Sequence, residues 1–316
     1  MVVRRNMGAN RVRVTLTAVL VCLMVSSSVL YAMSEKDQEA ATGLSGPEAE
    51  KKPKLDVPYE PTTPEIAEEM LRMADVRKND LVYDLGCGDG RIVIMAVKER
   101  GARGIGVDLD PERIKESKEN AREAGVTDRV SFFQQDLFKT DIKSATVVML
   151  YLWPEVNLRL RPRLFTELKP GTRVVSHSHT MGDWKPDKTS EVSNHRLYFW
   201  VIPENLTGTW TWSMPTGKGN RTRVAVVRIS QQFQEVKGSL TIDNADTPLV
   251  SATLTGSKVR LIAESEVDGR KVTTEFTGRA KGDAIMGSMV LYEGGRKHKA
   301  PWRAKRDPAT KVELDK

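Results

Sequence analysis

Leu81-Val82-Tyr83-Asp84-Leu85-Gly86-Cys87-Gly88-Asp89-Gly90 is the stretch on which the reading of this chain turns. Its first five residues suit a short buried strand. The glycines that follow let the backbone pass close under a ligand and feed its amides into a helix N-terminus. The spacing is Gly-x-Gly-x-Gly; a nicotinamide fingerprint would need Gly or Ala at position 91, where the chain has Arg91. Twenty residues past Gly88 stands Asp108, closing Gly104-Ile105-Gly106-Val107. A glycine loop alone is weak evidence. An acid at the end of the next strand makes it specific for a ribose, since one carboxylate accepts hydrogen bonds from both hydroxyls.

Outward from this stretch, strands and helices alternate. Pro64-Glu65 opens a helix in which Ile66, Met70, Leu71 and Met73 share a face, ending near Ala74. Arg91 to Arg100 is a second helix. Asp110 suits an N-cap and Pro111 the first helical position of a third, running to about Ala124. Val130 to Gln134 reads as the third strand, Ala145 to Leu150 as the fourth, Leu158 to Leu168 as a helix and Gly171 to Ser176 as the fifth strand. The alternation predicts a Rossmann-like α/β fold, a doubly wound parallel sheet with helices on both faces. Ligands of such sheets sit beyond the carboxyl ends of the strands, where Asp84, Asp108 and Asp136 fall. The plain alternative for each acid is a loop cap.

These residues carry a resemblance. Asp84 to Gly90 resembles the first motif of class I S-adenosylmethionine-dependent methyltransferases, Asp108 the acidic end of their second strand, and Asp136-Leu137 their adenine-side motif. The likeness covers about Tyr59 to Pro203. It implies S-adenosyl-L-methionine as methyl donor, with Asp84 and the backbone of Gly86, Gly88 and Gly90 facing the methionine moiety, Asp108 the ribose and Asp136 the adenine amine. A narrower likeness lies in Val57-Pro58-Tyr59-Glu60-Pro61-Thr62, in Gly88-Asp89-Gly90-Arg91-Ile92-Val93 and in Trp184-Lys185-Pro186-Asp187. These resemble the mitochondrial lysine methyltransferases that modify inner-membrane proteins. In that family the Pro-Tyr segment folds over the cofactor, a place that Tyr59 and Thr62 would take here. Tyr151-Leu152-Trp153-Pro154 departs from the Asn-Pro-Pro-Tyr of amino-directed DNA and glutamine methyltransferases.

Methyl transfer from a sulfonium is an in-line displacement, helped most by positioning and desolvation. A lysine nucleophile must first lose a proton, and an apolar, aromatic-walled slot lowers its pKa. Tyr59, Tyr151 and Trp153 are the substrate-side candidates for that wall, with simple packing the competing reading, favoured for Trp153. His177 and His179, just past the fifth strand, read as loop residues, with bases or metal ligands as the alternative. No carboxylate is placed to complete a metal site, and no metal is expected.

From Gly208 the pattern changes to short alternating segments, among them Thr209 to Trp212, Arg223 to Val226, Lys258 to Ile262 and Ala284 to Met289. About eight strands suit a small antiparallel barrel or sandwich. Gly208-Thr209-Trp210 and Trp302-Arg303-Ala304 faintly resemble lipocalin-like barrels, and no ligand is inferred from that. The chain of 316 residues is 39% hydrophobic and 29% charged, which excludes a polytopic membrane protein and a fibrous one. Its 2 cysteines, Cys22 and Cys87, build neither a disulfide scaffold nor a zinc site. The net charge of +7 is unevenly spread. Residues 1–33 carry 4 arginines and no acid, residues 34–205 carry 26 basic and 30 acidic groups, and residues 206–316 carry 19 and 12. No aromatic-basic interleaving of the RNA-binding kind is visible, so no nucleic-acid partner is expected.

Arg4, Arg5, Arg11 and Arg13 precede an uncharged run from Val14 to Met33. That is the arrangement of a secretory signal or, if retained, of a membrane anchor. Either places everything after Met33 outside the cytoplasm, by the positive-inside bias. A start of translation at Met33 would leave the protein cytoplasmic. The expected organisation is then a leader over 1–33, a disordered linker over 34–56, a methyltransferase domain over 57–205, an antiparallel β domain over 206–306 and a tail over 307–316. The functional reading is an S-adenosylmethionine-dependent methyltransferase whose acceptor is a protein lysine. The alternatives are a small molecule or lipid acceptor, or a non-catalytic cofactor-binding or surface-attachment protein.

Overall fold

A computed structural model describes residues 59–215, 222–267 and 270–314. These residues belong to one of the two units into which the chain divides, Pro53–Lys316. The leader, the linker and Val57-Pro58 lie outside the described residues. Among the described residues, no helix is long and apolar enough to cross a membrane.

The first half builds a mixed sheet flanked by helices. Helix α1 is Pro64–Met73, followed by strand β1 at Leu81–Leu85, α2 at Arg91–Arg100, β2 at Arg103–Asp108, α3 at Pro111–Glu123 and β3 at Val130–Gln134. Then come β4 at Val147–Leu150, α4 at Pro154–Glu167, β5 at Arg173–His177, β6 at Lys188–Val192 and β7 at His195–Val201. The order across the sheet is β3-β2-β1-β4-β5-β7-β6. Strands β1 to β5 pair in parallel. Strand β4 is buried throughout as Val147-Val148-Met149-Leu150, the continuous apolar run of a strand covered on both faces. Helix starts follow the local chemistry: Thr63 caps α1 and Asp110 caps α3, each with Pro at the first helical position.

The sheet differs from an all-parallel expectation at one edge. Strand β7 runs antiparallel to β5, with Ser176 opposite Tyr198 and His177 opposite Leu197, and β6 folds back on β7. Ser193 and Asn194, both at positive φ, make the tight β6–β7 turn. Leu197 and Phe199 on β7 are buried, so this hairpin shields what would otherwise be a bare edge at β5.

From Gly208 eight antiparallel strands close into a barrel, β8 at Gly208–Pro215 through β15 at Arg296–Arg306. Side chains alternate inward and outward along each strand, as in Arg296–Arg306, where Trp302, Ala304 and Arg306 are buried between exposed neighbours. Trp210, Trp212, Phe276 and Trp302 fill the centre, with Trp212 edge-on to Phe276 at 5.1 Å. The buried Arg306 guanidinium donates to the carbonyls of Asn205, Thr207 and Gly282 and pairs with Asp283, locking the last strand onto the connection that enters the barrel.

The two halves share a seam. Phe233, at the turn between β9 (Thr222–Gln232) and β10 (Glu235–Ile242), packs with Trp184 and Phe165 in the sheet's own hydrophobic cluster. The Trp184 indole donates to Gln234 Oε1 at 2.8 Å, and the Trp200 indole donates to the Trp184 carbonyl at 3.0 Å. The Glu204 amide donates to the Gly256 carbonyl of a barrel turn at 2.9 Å. Phe233→Ala should therefore destabilise the protein by about 3–5 kcal/mol, as for other buried phenylalanines. Chemical denaturation followed by tryptophan fluorescence would read this as a lower midpoint, with the barrel and sheet unfolding less cooperatively.

Candidate functional site

The cleft lies where strand order reverses, beyond the carboxyl ends of β1, β2 and β4. Its lining includes Asp84, Gly86, Cys87, Gly88, Asp108, Asp136 and Tyr151, and the segment Tyr59-Glu60-Pro61-Thr62 borders it. Leaving β1, the amides of Gly86 and Cys87 both donate to the Val107 carbonyl, at 2.8 and 2.9 Å, which turns the chain back across β2. The Gly88 amide donates to Asp108 Oδ2 at 2.9 Å, and the Asp110 amide donates to Oδ1 at 2.9 Å. Asp108 thus holds the glycine loop while its carboxylate still lines the cleft. Gly88 has φ +52, and a Cβ there would meet the Tyr59 ring at 2.4 Å. Only glycine permits this turn under a covering ring.

Asp84 closes β1 and is fully buried, and its carboxylate has no hydrogen-bond donor among the described residues. Burial, and then the nearby Asp108 and Asp89, push its carboxyl well above the ordinary range. A buried acid without a partner facing a cleft is stabilised by a cationic ligand. Asp136 accepts a hydrogen bond from the Phe138 amide at 2.9 Å and faces the same cleft from beyond β3. The floor is therefore acidic, as a ligand bearing an ammonium and a sulfonium requires, and the carboxylates of Asp108 and Asp136 stand where hydroxyls and an amine can meet them.

Residues 59–62 cross the cleft as a strap held at several points. The Tyr59 ring sits beside Gly88 with the Arg113 guanidinium 4.6 Å from its centre. The Tyr151 ring borders the cleft near Glu60 of the strap, and Thr62 Oγ1 lies 3.1 Å from His177 Nδ1. Arg91 clamps the strap from below. It pairs with Asp89 and donates to the Thr62 carbonyl at 3.0 Å. Burial, with help from Glu60, pushes the Tyr151 hydroxyl up to about 12, so it stays protonated.

Three sequence expectations are placed differently. His177 is no loop residue: it is the last residue of β5, only 1% exposed, stacked on Tyr151 at 3.8 Å and bonded to His195 at 2.9 Å. Strand β5, buried from Val174 onward, continues one residue further than Ser176, because β7 supplies a partner for it. Trp153 does not line the cleft; it stands half exposed at the N-terminus of α4. Gly90 lies outside the lining, and its φ of +80 and a would-be Cβ 2.6 Å from Phe132 make it a packing position at the start of α2. Glu60 and Arg91 stand inside the quoted stretches, but the partner of Arg91, like the place of His195, emerges only from these contacts. His179 turns away, its Nδ1 on the Leu152 carbonyl at 2.8 Å. Among the described residues no cluster of His, Cys, Asp or Glu could hold a metal ion. The Cys87 thiol is buried and pushed well up by that burial, so it is no nucleophile.

This part of the chain is similar in sequence to known methyltransferases. The ANTKMT methyltransferase domain model matches residues 84–188, ending before the barrel begins. A protein-lysine N-methyltransferase of Saccharolobus islandicus is 45% identical over 154 residues, covering 47% of this chain and 96% of that relative. The adenine nucleotide translocase lysine N-methyltransferase of Mus musculus is 34% identical over 134 residues, covering 42% of this chain and 58% of that relative. Among solved structures, an RNA methyltransferase of Salinibacter ruber in complex with S-adenosyl-L-homocysteine is 52% identical, with a TM-score of 0.46, and covers 46% of this chain and 96% of that one.

Two measurements probe the cleft. Asp108→Asn should weaken S-adenosylmethionine binding by about 1.5–3 kcal/mol, roughly ten- to a hundredfold in Kd, measured by titration calorimetry. Asp84 gives a sign for pH: burial pushes its carboxyl well above the ordinary range, and a bound cation favours its ionised form. Binding should release a proton, so affinity should climb as pH rises until Asp84 is ionised beforehand. Titrations in two buffers of different ionisation enthalpy would detect that proton, and Asp84→Asn should abolish it.

Proposed function

Since this chain belongs to the class I S-adenosylmethionine-dependent methyltransferases, in the family of the protein-lysine N-methyltransferases, we propose that it methylates lysine amines of protein. The observation that carries the acceptor is the 45% identity extending over 96% of a protein-lysine N-methyltransferase. The cleft supports the reading. Asp84 would hold the cofactor's amino group, Asp108 its ribose and Asp136 its adenine amine, with Tyr59 covering it beside Gly88. When bound, S-adenosylmethionine supplies an electrophilic methyl group on a sulfonium.

The chain's own contribution is placement and dryness. Asp108 and Gly88 fix the loop under the cofactor, Arg91 fixes the strap over it, and the rings of Tyr59 and Tyr151 wall the approach. An ammonium entering between those rings loses solvation, which lowers its pKa and favours the neutral amine that attacks. Orientation in line with the sulfonium then provides most of the acceleration.

A membrane-associated acceptor is the finer part of the proposal, motivated by the arginines before the apolar run Val14 to Met33. Cell fractionation of the full chain tests it, and recovery in the soluble cytoplasm would refute it.

The test of the activity is incubation of the full chain with methyl-labelled S-adenosylmethionine and total cell protein, lipid, RNA and small-molecule fractions. Label recovered as N-methyl-lysine, and lost with Asp108→Asn, is the expected result. Label in RNA, lipid or small molecules but not in lysine would refute the lysine acceptor. Binding without transfer to any fraction would favour a non-catalytic role.

A further inference from the structure

Beside the cleft lies a buried polar chain that starts at the strap residue Thr62 and runs away from the acidic floor. Thr62 borders the cleft while its Oγ1 lies 3.1 Å from His177 Nδ1. His177 Nε2 in turn lies 2.9 Å from His195 Nδ1. His195, the first residue of β7, is partly exposed, and its Nε2 has no described partner. Two imidazoles therefore join a cleft-side hydroxyl to the surface through consecutive hydrogen bonds. We propose that Thr62, His177 and His195 form a relay that carries the acceptor ammonium's proton from the cleft to solvent. The proposal rests on the lysine reading above.

The surroundings suit transfer better than storage. Tyr151 stacks on one face of His177 at 3.8 Å, and the ring is closed off from water. The other groups facing the pair are neutral or turned away: Ser178 Oγ at 3.4 Å from His195 Nδ1, and His179, engaged with a carbonyl. Glu65, the nearby acid on α1, accepts from Ser193 instead. No carboxylate among the described residues contacts either imidazole, so nothing there traps an imidazolium. Burial, and then the neighbouring imidazoles, push His177 down to about 4. It is neutral at working pH and has a lone pair to offer.

The protons balance with one set of tautomers. The Thr62 hydroxyl donates to His177 Nδ1, His177 Nε2–H donates to His195 Nδ1, and His195 Nε2–H faces water. A lysine ammonium at Thr62 gives its proton to Oγ1 as the hydroxyl proton passes to His177, the Nε2 proton of His177 to His195, and that of His195 to solvent. The amine keeps the lone pair that forms the new nitrogen–carbon bond. After product leaves, water in the cleft supports the reverse hop and restores the tautomers. His177 and His195 act through Thr62 and touch neither cofactor nor amine.

A purely structural role is the competing explanation, since the same bonds tie the strap and β7 to β5. The pH profile separates the two. Full-chain wild type, His177→Gln and His195→Gln would be compared for initial rates of N-methyl-lysine formation in total cell protein. Loss of the relay should lower kcat by about tenfold or more near pH 7. The deficit should shrink towards wild type near about pH 9.5, where free lysine begins to lose its proton unaided. S-adenosylmethionine affinity of His195→Gln should stay within about twofold, because that ring neither lines the cleft nor touches the strap. His195→Gln, at a partly exposed ring, keeps the test valid if the buried variant misfolds. A loss independent of pH, a loss that follows cofactor affinity, or full activity near pH 7 would overturn the relay. Wild-type protein that labels no lysine at all would instead refute the acceptor reading beneath it.

Discussion

The Asp108 carboxylate, shared between the Gly88 and Asp110 amides, is the constraint on which the cleft depends. One oxygen fixes the glycine loop that leaves β1, and the other fixes the turn entering α3. Both segments would otherwise be free to follow their own turn preferences, since glycine confers no preference of its own. Coupling them through a single side chain brings β1 and β2 to a common edge at the switch point of the sheet. The Tyr59 ring can then lie against Gly88 with no Cβ between them. Tyr59, Arg113 and Asp89 form a second layer that depends on this first one.

The cleft is asymmetric in its electrostatics. Its floor carries Asp84, Asp108 and Asp136, and Asp84 is left both buried and without a donor, a cost that a fold incurs for a cation. The side towards β5 and β7 offers a tyrosine held protonated, a hydroxyl, and the His177 imidazole driven to the uncharged form by burial. A cationic donor on an acidic floor and an acceptor that must shed charge against a neutral wall need opposite environments. The sheet supplies them from opposite sides of its switch point, β1 to β3 on one side and β4, β5 and β7 on the other.

No barrel residue lines the cleft, yet the barrel is not a loose appendage. Phe233 sits in the same cluster as Trp184 and Trp200, and Gly256 approaches Gly171 just before β5. Gly171 precedes the amino end of β5, so this contact falls at the end of the sheet away from the cleft. The barrel's own centre is closed by Trp210, Trp212 and Trp302. Its tight inner packing and its tie through Arg306 make it a rigid body, presenting an outer surface that carries most of the basic residues of the C-terminal third.

The sequence by itself determined the alternating strands and helices, the glycine turn, the three strand-end acids and the change to short antiparallel strands after Gly208. These features rest on local rules: side-chain period, turn chemistry and caps act within a few residues of one another. Tertiary structure alone decided that β6 and β7 extend the sheet antiparallel, that the eight later strands close into a barrel rather than a sandwich, and that His177 ends a buried strand. It also decided the partners of Arg91 and His195. Each of these depends on a contact between residues far apart in the chain: Thr62 with His177, Arg91 with the Thr62 carbonyl, Phe233 with Trp184. Such pairings leave no periodic trace, because what fixes them is the burial of one segment against another rather than the preference of either.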